Sequence, residues 1–284
     1  MIKIGWVGLG KMGIPMVTNL IRKGLSVCVY NRTKEKERNL LKLGATAATS
    51  LQQLSQDCDI VFTIVSDDAA VEEVYNGENG LLSHPKPGVL LVDMSTVGVQ
   101  TSKKLASDCS RKNVRFFEAK VSGSVKPAEE GQLLILAGGE MQDYQKIQPL
   151  FSILGKQSIY MGEVGKASAA KICLNYFLAL TFQGLAETVL FAQHLNMEKA
   201  DILNLINESA CGSGVTKMKS QPIINNDFSP AFALKHITKD LRLAHNEGLA
   251  SPLFFPLQAT FQAALQTGLG ERDAISIIET LRMK

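Results

Sequence analysis

The sequence has almost no excess charge. Its 30 basic and 27 acidic residues give a formal net charge of +3, and the lysines and arginines are dispersed along the chain. A protein that binds nucleic acid through phosphate contacts carries a concentrated basic patch, so nucleic acid is not expected as a partner. The four histidines have no metal-ligand spacing, and no metal site is expected.

Cysteine motifs and long hydrophobic runs are also scarce. The five cysteines occur without C-x-x-C spacing or histidine partners, so we expect reduced thiols. The chain opens on a strand-like run that leaves no room for a targeting segment, and a cytoplasmic location is expected. One apolar stretch, residues 172–193, approaches the length of a membrane span. Asn175, Gln183 and Glu187 interrupt it, which favours a buried helix and no membrane contact.

What is present is a globular composition: 284 residues, of which 45% are hydrophobic and 20% charged. This length is sufficient for two domains with separate cores. Strand and helix patterns alternate in the first half, which is typical of a parallel sheet with helices on both faces. Beyond Gly165 only helical periodicity remains. The sequence therefore predicts an α/β domain over residues 1–162 and an all-helical domain over residues 163–284.

The expected elements follow this division. Strands are expected at 3–7, 25–30, 60–65, 89–94, 115–119, 133–139 and 158–161, and the first domain's helices at 14–23, 34–43, 51–56, 69–75 and 101–112. A long helix over 167–195, roughly 42 Å at 1.5 Å per residue, is expected to join the domains. Shorter helices are expected at 199–208, 215–223, 234–247, 256–267 and 273–282.

The most specific motif stands at the start of the chain. The strand at 3–7 runs directly into Gly8-Leu9-Gly10-Lys11-Met12-Gly13, and a helix and a second strand follow. In this context G-x-G-x-x-G is typical of a Rossmann dinucleotide site, because its glycines allow a tight turn, close approach to a pyrophosphate and close helix packing. A glycine turn without a ligand is the alternative, and the complete strand–helix–strand context disfavours it. We therefore predict that these six residues bind a dinucleotide.

The end of the second strand indicates which dinucleotide binds. An NAD site usually has Asp or Glu about 20 residues past the glycines, but this chain has Asn31-Arg32-Thr33-Lys34. No carboxylate in this run would repel a 2′-phosphate, and Arg32 can pair with that phosphate while stacking on adenine. We predict NADP, with Asn31, Arg32 and Thr33 as contacts. The alternative is that Arg32 and Lys34 are solvated residues at the start of the next helix.

Other polar residues follow strands, where ligands of such sheets bind. Ser95 and Thr96 follow the strand at 89–94, where a hydroxyl can bond the nicotinamide ribose or cap a helix. Ser122-Gly123-Ser124 follows the strand at 115–119 and offers donors for a carboxylate, although a plain polar turn has the same composition. The predicted cofactor contacts at strand ends are Val65, Ser66, Ser95 and Thr96.

The long helix carries two polar residues on one face. Lys171 and Asn175 are four apart, and their neighbours are small or apolar. A buried lysine is costly unless it is paired or used, and desolvation brings it toward the working range of a general acid/base. The alternative is a lysine that extends its ammonium to solvent. Lys239-Asp240, taken alone, reads as an exposed charge pair.

These residues together resemble the β-hydroxyacid dehydrogenase family over the whole chain. The matching motifs, in order, are the glycine run 8–13 continued by Ile14-Pro15-Met16, Asp93-Met94-Ser95-Thr96-Val97, Val121-Ser122-Gly123-Ser124, Gly162-x-x-Gly165-x5-Lys171-x3-Asn175, and Lys239-Asp240-Leu241. The run from Val121 to Leu133 looks like the glyoxylate/succinic semialdehyde reductase branch. Asn31-Arg32-Thr33 is similar to the NADP-binding segment of that branch.

The resemblance implies a role for each matching residue. Lys171 would be the catalytic acid/base. The substrate would be bound by Ser122, Gly123, Ser124, Asn175, Phe232 and Asp240, and the cofactor by Thr96 and Lys239. Two departures concern the pocket. The family often has proline where this chain has Lys120, which would alter the pocket entrance or add a charge there, and it tends to have glycine at Ala167, where a Cβ would shift the helix start.

The sequence thus predicts an NADPH-dependent reductase of small aldehyde or keto acids, such as glyoxylate and succinic semialdehyde. The substrate is a small carbonyl compound with a carboxylate. The apolar remainder of the long helix predicts a homodimer or homotetramer. A 3-hydroxyisobutyrate or tartronate-semialdehyde type of dehydrogenase is the alternative within enzymes, and imine reduction is weakened by the presence of Lys171. A non-catalytic dinucleotide-binding protein is the alternative outside enzymes.

Overall fold

The computed structural model describes residues 2–282, and the chain divides after Lys171 into two compact units. The strands of the first unit are β1 (Ile4–Val7), β2 (Val27–Tyr30), β3 (Thr46–Ala47), β4 (Ile60–Thr63), β5 (Leu90–Asp93), β6 (Arg115–Ser122), β7 (Leu133–Gly138) and β8 (Gly155–Gly162). Its helices are α1 (Gly13–Arg22), α2 (Arg38–Lys42), α3 (Leu51–Asp57), α4 (Asp68–Asn76), α5 (Val99–Arg111), α6 (Val125–Glu129) and α7 (Met141–Leu154). Helix α8 (Lys166–His194) begins in this unit and continues into the second.

The eight strands form one sheet in the order β3-β2-β1-β4-β5-β6-β7-β8. The strands pair in parallel except that β6 and β7 are antiparallel. The expectation of a parallel sheet is therefore wrong at this one pair, because the short helix α6 joins β6 to β7 without a crossover. The order reverses between β1 and β4, and the crevice at the carboxyl ends of these strands is where sheets of this kind bind ligands.

The sheet is buried on both faces, which explains why its central strands are continuous apolar runs. One apolar cluster surrounds Trp6 and Phe62, whose ring centroids are 5.4 Å apart. A second cluster on the opposite face contains Val61, Leu91 and Leu105. Helices α1 and α7 contact each other, and α5 packs against β6. The two apolar clusters, one on each face of the sheet, fix the positions of the strand ends and of the loops that follow them.

Several elements differ from the sequence expectation. Helix α7 and strand β3 were not predicted, and the expected helix over 34–43 is a 3-10 turn, Lys34–Glu37, followed by the short α2. Strand β6 continues to Ser122 instead of ending at residue 119. These strand residues remain paired because β7 adds hydrogen bonds along β6 as far as Ser122.

The second unit contains the rest of α8 and five further helices in the described residues. These are α9 (Lys199–Glu208), α10 (Gly214–Asn225), α11 (Leu234–Asn246), α12 (Phe254–Gln266) and α13 (Ile277–Arg282). The helix expected over 273–282 instead begins with a 3-10 turn, Ala274–Ser276, capped by Asp273. Length and composition would let α8 cross a membrane, but long apolar helices inside proteins have the same character, so it is not evidence for one. In an apolar 18-residue segment of α8, only 39% is buried, which is less than expected for the buried helix that the sequence predicted.

Candidate active site

The glycine loop after β1 is shaped by contacts that only glycine allows. Gly8 has φ +97°, and a Cβ there would lie 2.0 Å from the carbonyl oxygen of Ile64. A Cβ on Gly13 would lie 2.0 Å from the Gly8 carbonyl oxygen. A Cβ on Gly10, in contrast, would have no described atom within 4 Å. The first and third glycines therefore close the turn, and the second faces space that a ligand can fill.

The start of α1 suits an anion. Its first turn, Gly13 to Met16, carries no charge, and the cap residue Met12 makes no side-chain capping bond. Ile14 and Met16 already donate their N–H groups to the carbonyl oxygens of Gly10 and Met12 at 3.2 and 3.3 Å, and Pro15 has no N–H, so a phosphate would be bound by the N–H groups that precede Ile14. Leu9 already donates its N–H to Asn31 Oδ1 at 2.9 Å, and Lys11 is exposed beside the loop. This part of the chain therefore fits the pyrophosphate of a dinucleotide.

Asn31 connects the end of β2 to the glycine loop. Its Oδ1 accepts from Leu9, its Nδ2 donates to the Thr33 carbonyl oxygen at 2.8 Å, and its own N–H donates to Glu37 Oε1 at 2.8 Å. Both ends of the Asn31 side chain are thus engaged by the protein. In this structure Asn31 shapes the loop where the sequence analysis predicted a cofactor contact.

Arg32 and Lys34 have different environments. Lys34 Nζ lies 3.0 Å from Glu37 Oε1, donates to the Ala48 carbonyl oxygen at 3.2 Å and sits 4.2 Å above the Tyr30 ring. Arg32 is exposed, and so is Lys34, whose side chain is 49% exposed at the start of the next helical turn. Lys34 is therefore solvated as the alternative expected, but it also pairs with the buried carboxylate of Glu37, which no sequence pattern indicated.

The ends of β4 and β5 are joined by a buried serine. Ser95 Oγ accepts from the N–H of Val65 at 3.0 Å, and the N–H of Ser95 donates to Asp93 Oδ1 at 3.1 Å. Ser95 is 1% exposed, whereas Thr96 is half-buried and Ser66 is exposed. Neither Ser95 nor Thr96 caps α5, whose cap residue is Gly98. The helix-cap alternative is therefore wrong, and the Ser95 hydroxyl supports the neighbouring strand end.

The serine loop lies between β6 and α6. Ser122 ends the strand, Ser124 precedes the helix, and Gly123 between them has φ +140°. A Cβ on Gly123 would meet Leu133 Cδ2 at 2.7 Å, so the turn requires glycine. Ser122 and Ser124 are partly exposed at the carboxyl end of β6. Their hydroxyls and the nearby N–H groups are hydrogen-bond donors of the kind that bind a carboxylate.

Lys120 is not at a pocket entrance, which corrects the expectation for this residue. Its side chain is fully buried and donates to Asp93 Oδ2, and the Asp93 side chain is fully buried as well. Strand β6 extends past residue 119, so alternation places Lys120 on the same face as Glu118. The lysine at position 120, where the family often has proline, therefore places a charge inside the first unit.

Glu118 holds the start of α8. Its Oε1 accepts from the N–H groups of Gly165 and Ala167 at 2.7 and 2.8 Å, and its Oε2 accepts from Ser168 Oγ at 2.6 Å. A buried carboxylate here satisfies unpaired N–H groups and complements the helix dipole. Ala167 is fully buried. Lys171 follows one turn after Ala167 and is 9% exposed, which disfavours a side chain extended into solvent.

The second unit gathers three of the predicted residues. Asn175 Nδ2 donates to Asp240 Oδ2 at 2.5 Å, and Asp240 Oδ1 lies 3.1 Å from Lys239 Nζ. The side chains of Lys239 and Asp240 are 13% and 4% exposed, so the expectation of an exposed charge pair is wrong. Asn175 lies on α8 and the other two on α11. An amide, a carboxylate and an ammonium are thus joined by one hydrogen bond and one ion pair.

Phe232 is held by a residue that the sequence analysis missed. Asp273 Oδ2 accepts from the N–H groups of Ala231 and Phe232 at 3.0 and 3.2 Å. Its Oδ1 accepts from Lys219 Nζ at 2.7 Å, and both side chains of this pair are buried. The Phe232 ring stacks on His236, and burial lowers the pKa of that imidazole. The sequence indicated Asp273 only as the start of a helix, because its partners Lys219, Ala231 and Phe232 are distant in sequence.

The cavities on the described part of the first unit include one of about 490 Å³, which is lined by the start of β6 and by the residues that follow β7, away from the glycine loop. Another, about 400 Å³, lies beside Tyr30 at the carboxyl end of β2 and includes Ser50 and Glu73. The residues that the structure describes contain no cluster of three or more potential metal ligands.

Comparison with known proteins gives two family matches that together cover most of the chain. Residues 3–162 match the NAD binding domain of 6-phosphogluconate dehydrogenase. Residues 165–281 match the NAD-binding domain of NADP-dependent 3-hydroxyisobutyrate dehydrogenase.

Individual relatives agree with these matches. Glyoxylate/succinic semialdehyde reductase 1 of Arabidopsis thaliana is 34% identical over 99% of this chain and 98% of its own length. The chloroplastic reductase 2 of the same plant is 33% identical over 99% of this chain and 80% of its own length. The solved structure of Psf3 in complex with NADP+ and 2-OPP has a TM-score of 0.91 at 25% identity, over 98% of this chain and 99% of that one. The protein is therefore an NADP-dependent oxidoreductase that belongs to the β-hydroxyacid dehydrogenase family.

Proposed function

We propose that this enzyme reduces small aldehyde or keto acids, with glyoxylate and succinic semialdehyde as substrates, to the corresponding hydroxy acids. The observation that carries the proposal is the buried Lys171, one turn after a helix start that Glu118 anchors. The similarity to two reductases named for these substrates supports the choice of substrate. NADPH, when bound, supplies the hydride that is added to the carbonyl carbon.

Lys171 supplies the proton in this proposal. Its ammonium donates a hydrogen bond to the substrate carbonyl oxygen and polarises the carbonyl group. As negative charge develops on that oxygen, the same N–H transfers its proton, and the amine is left neutral. Burial favours this step because it stabilises the neutral amine relative to the ammonium. The lysine recovers its proton from solvent before the next cycle.

The other substrate residues orient the reacting carbon. Ser122, Gly123 and Ser124 of the first unit bind the substrate carboxylate through hydroxyl and N–H donors. In the second unit, the substrate residues are Phe232, Asn175 and Asp240. Because Asn175 donates one N–H of its Nδ2 to Asp240, its amide oxygen and its second N–H are the groups left for the substrate. Because the protein already holds these side chains in place, they orient the substrate for hydride transfer without a further loss of side-chain freedom.

The cofactor residues act in two ways. Direct contacts are proposed for the glycine loop, Arg32, Thr33, Ser66, Thr96 and Lys239. Asn31 and Ser95 act through the backbone of Leu9 and Val65, since their side chains bond those N–H groups. The pyrophosphate is assigned to the start of α1.

Arg32→Ala is expected to raise KM for NADPH about tenfold or more and to change KM for NADH less than about twofold. The reason is that a guanidinium–phosphate pair is a charge-assisted bond, worth roughly 1.5–3 kcal/mol, and NADH lacks the 2′-phosphate. Steady-state kinetics with both cofactors measure the effect. Arg38→Ala on α2 is the matched control. Equal effects of Arg32→Ala on both cofactors would show that Arg32 does not recognise the phosphate.

The substrate assignment is tested by a steady-state panel of glyoxylate, succinic semialdehyde, methylglyoxal and tartronate semialdehyde with both cofactors. We expect the highest kcat/KM with NADPH and one of the first two acids, and a lower value for methylglyoxal, which has no carboxylate. Preference for tartronate semialdehyde, or for oxidation of 3-hydroxyisobutyrate, would favour the alternative dehydrogenase. Absence of turnover with every carbonyl compound, despite NADPH binding, would favour a non-catalytic role.

We further infer a homodimer or homotetramer that works in the cytoplasm. Leu174, Phe177 and Phe191 lie along one stripe of α8, and the two phenylalanines are 67% and 63% exposed. Exposed apolar patches of this kind mark protein interfaces. Light scattering coupled to gel filtration measures the mass, and a monomer at micromolar concentration would refute the proposed assembly.

A further inference from the structure

We propose that Lys120 is a positioning residue for the cofactor site: its buried ammonium pairs with Asp93 and fixes that side chain, and Asp93 holds the strand ends at Ser95 and Val65. The proposal rests on the assignment of these strand ends to the cofactor in the proposed function. It goes beyond that function because Lys120 and Asp93 touch neither substrate nor cofactor in it.

The first observation is burial. The side chains of Lys120 and Asp93 have no exposed area, and they form an ion pair between the adjacent strands β6 and β5. A single buried charge is very costly, whereas a paired one is tolerated. Each side chain is therefore the buried counterion of the other. Within the described ion pairs, Lys120 is the cation that contacts Asp93.

The second observation is the chain of hydrogen bonds that leads away from this pair. Asp93 uses Oδ2 for Lys120 and Oδ1 for the N–H of Ser95 at 3.1 Å. Ser95 in turn uses its Oγ to accept from the N–H of Val65 at 3.0 Å. An ionised carboxylate accepts more strongly than a neutral one. The charge of Lys120 thus strengthens the bond that fixes where β5 ends, and with it the end of β4.

Among the described residues, the groups beside Asp93 include two hydroxyls and a second carboxylate. Thr63 is its neighbour on β4, Glu118 is its neighbour on β6, and Tyr75 is fully buried. Burial, and then the Asp93 charge, raise the pKa of the Tyr75 hydroxyl well above its usual value, so the phenol stays neutral. Replacing Lys120 by an apolar residue would leave the Asp93 carboxylate buried without its counterion, and this would disturb its bond to Ser95.

Measuring the dissociation constant of NADPH by calorimetry tests the proposal without requiring turnover, so it stays informative even if the substrate assignment is wrong. For Lys120→Met we expect this constant to rise about five- to tenfold, because the Asp93 carboxylate is left buried without its counterion and its bond to Ser95 is disturbed. The constant for NADH is expected to rise by the same factor, because both cofactors share the nicotinamide half. Lys219→Met, which removes another buried ammonium from an ion pair, is the matched control and should lower stability without changing either constant.

Two double variants keep the test decisive if Lys120→Met does not fold. Lys120→Met with Asp93→Asn removes both charges but keeps an acceptor for Ser95, and we expect an NADPH constant within about threefold of wild type. Lys120→Met with Asp93→Ala removes both charges and the acceptor, and we expect a rise of about tenfold. Wild-type affinity in Lys120→Met, equal constants in the two double variants, or failure of the Asn variant to fold would each overturn the proposal.

Discussion

Replacing Lys171 by alanine should lower kcat by a factor on the order of 10²–10⁴, the usual effect of losing a general acid. This corresponds to roughly 3–5 kcal/mol of transition-state stabilisation. The effect arises because the developing alkoxide would lose both its hydrogen-bond donor and its proton source. Single-turnover reduction of glyoxylate by preloaded NADPH measures the chemical step directly.

Two controls separate this effect from structural damage. The dissociation constant of NADPH should be nearly unchanged in Lys171→Ala, and the melting temperature should not fall. Lys166→Ala is the matched variant, since Lys166 is an exposed lysine at the start of the same helix, and its kcat should stay within about twofold of wild type. Wild-type turnover in Lys171→Ala would exclude this lysine as the proton donor.

Asp273→Ala should lower the free energy of unfolding by about 3–5 kcal/mol, which is the cost of removing one partner from a buried ion pair. The substitution leaves the Lys219 ammonium, which is 3% exposed, without its carboxylate. It also removes the acceptor for the N–H groups of Ala231, Phe232 and Ile275. The segment that carries Phe232 would therefore loosen, and KM for the carbonyl substrate should rise. Urea unfolding followed by circular dichroism, together with steady-state kinetics, measures both changes.

Asp227→Ala provides the comparison for this variant. Asp227 is an exposed aspartate near the same segment, and it accepts from Ser229 within the loop. Its loss should cost less than about 1 kcal/mol, because exposed hydrogen bonds contribute little. If Asp273→Ala were no more destabilising than Asp227→Ala, the buried pair would not hold this part of the second unit together.

The parts of the fold that the sequence predicted depend on local signals. The glycine loop was predictable because its turn requires positive φ and close backbone contacts, and both requirements restrict residue type at fixed spacing. The central strands were predictable because burial on both faces produces continuous apolar runs. The long helix α8 was predictable to within a residue at each end, because Gly165 marks its start and no proline interrupts its apolar pattern.

The parts that were missed depend on partners far along the chain or on weak local patterns. Helix α7 contains Pro149, which weakens a helical pattern, and β3 has only two residues. Glu118 bonds residues 47 to 50 positions away, and Lys219 pairs with Asp273 at a separation of 54. Lys120 looked like a pocket residue because it stands next to the serine loop. Only the strand register shows that its side chain lies inside the first unit, on the same face of the sheet as Glu118.

Strand β6 carries three functional positions, so a single strand fixes the spacing between them. Glu118, Lys120 and Ser122 are alternate residues of the same strand, and they respectively anchor α8, pair with Asp93 and begin the serine loop. Inserting or deleting one residue between positions 115 and 121 would turn alternate side chains to the opposite face. Transplanting a serine loop from a relative, in order to change substrate preference, must therefore keep the interval from Glu118 to Ser122. Loop designs that begin after Ser122 avoid this constraint.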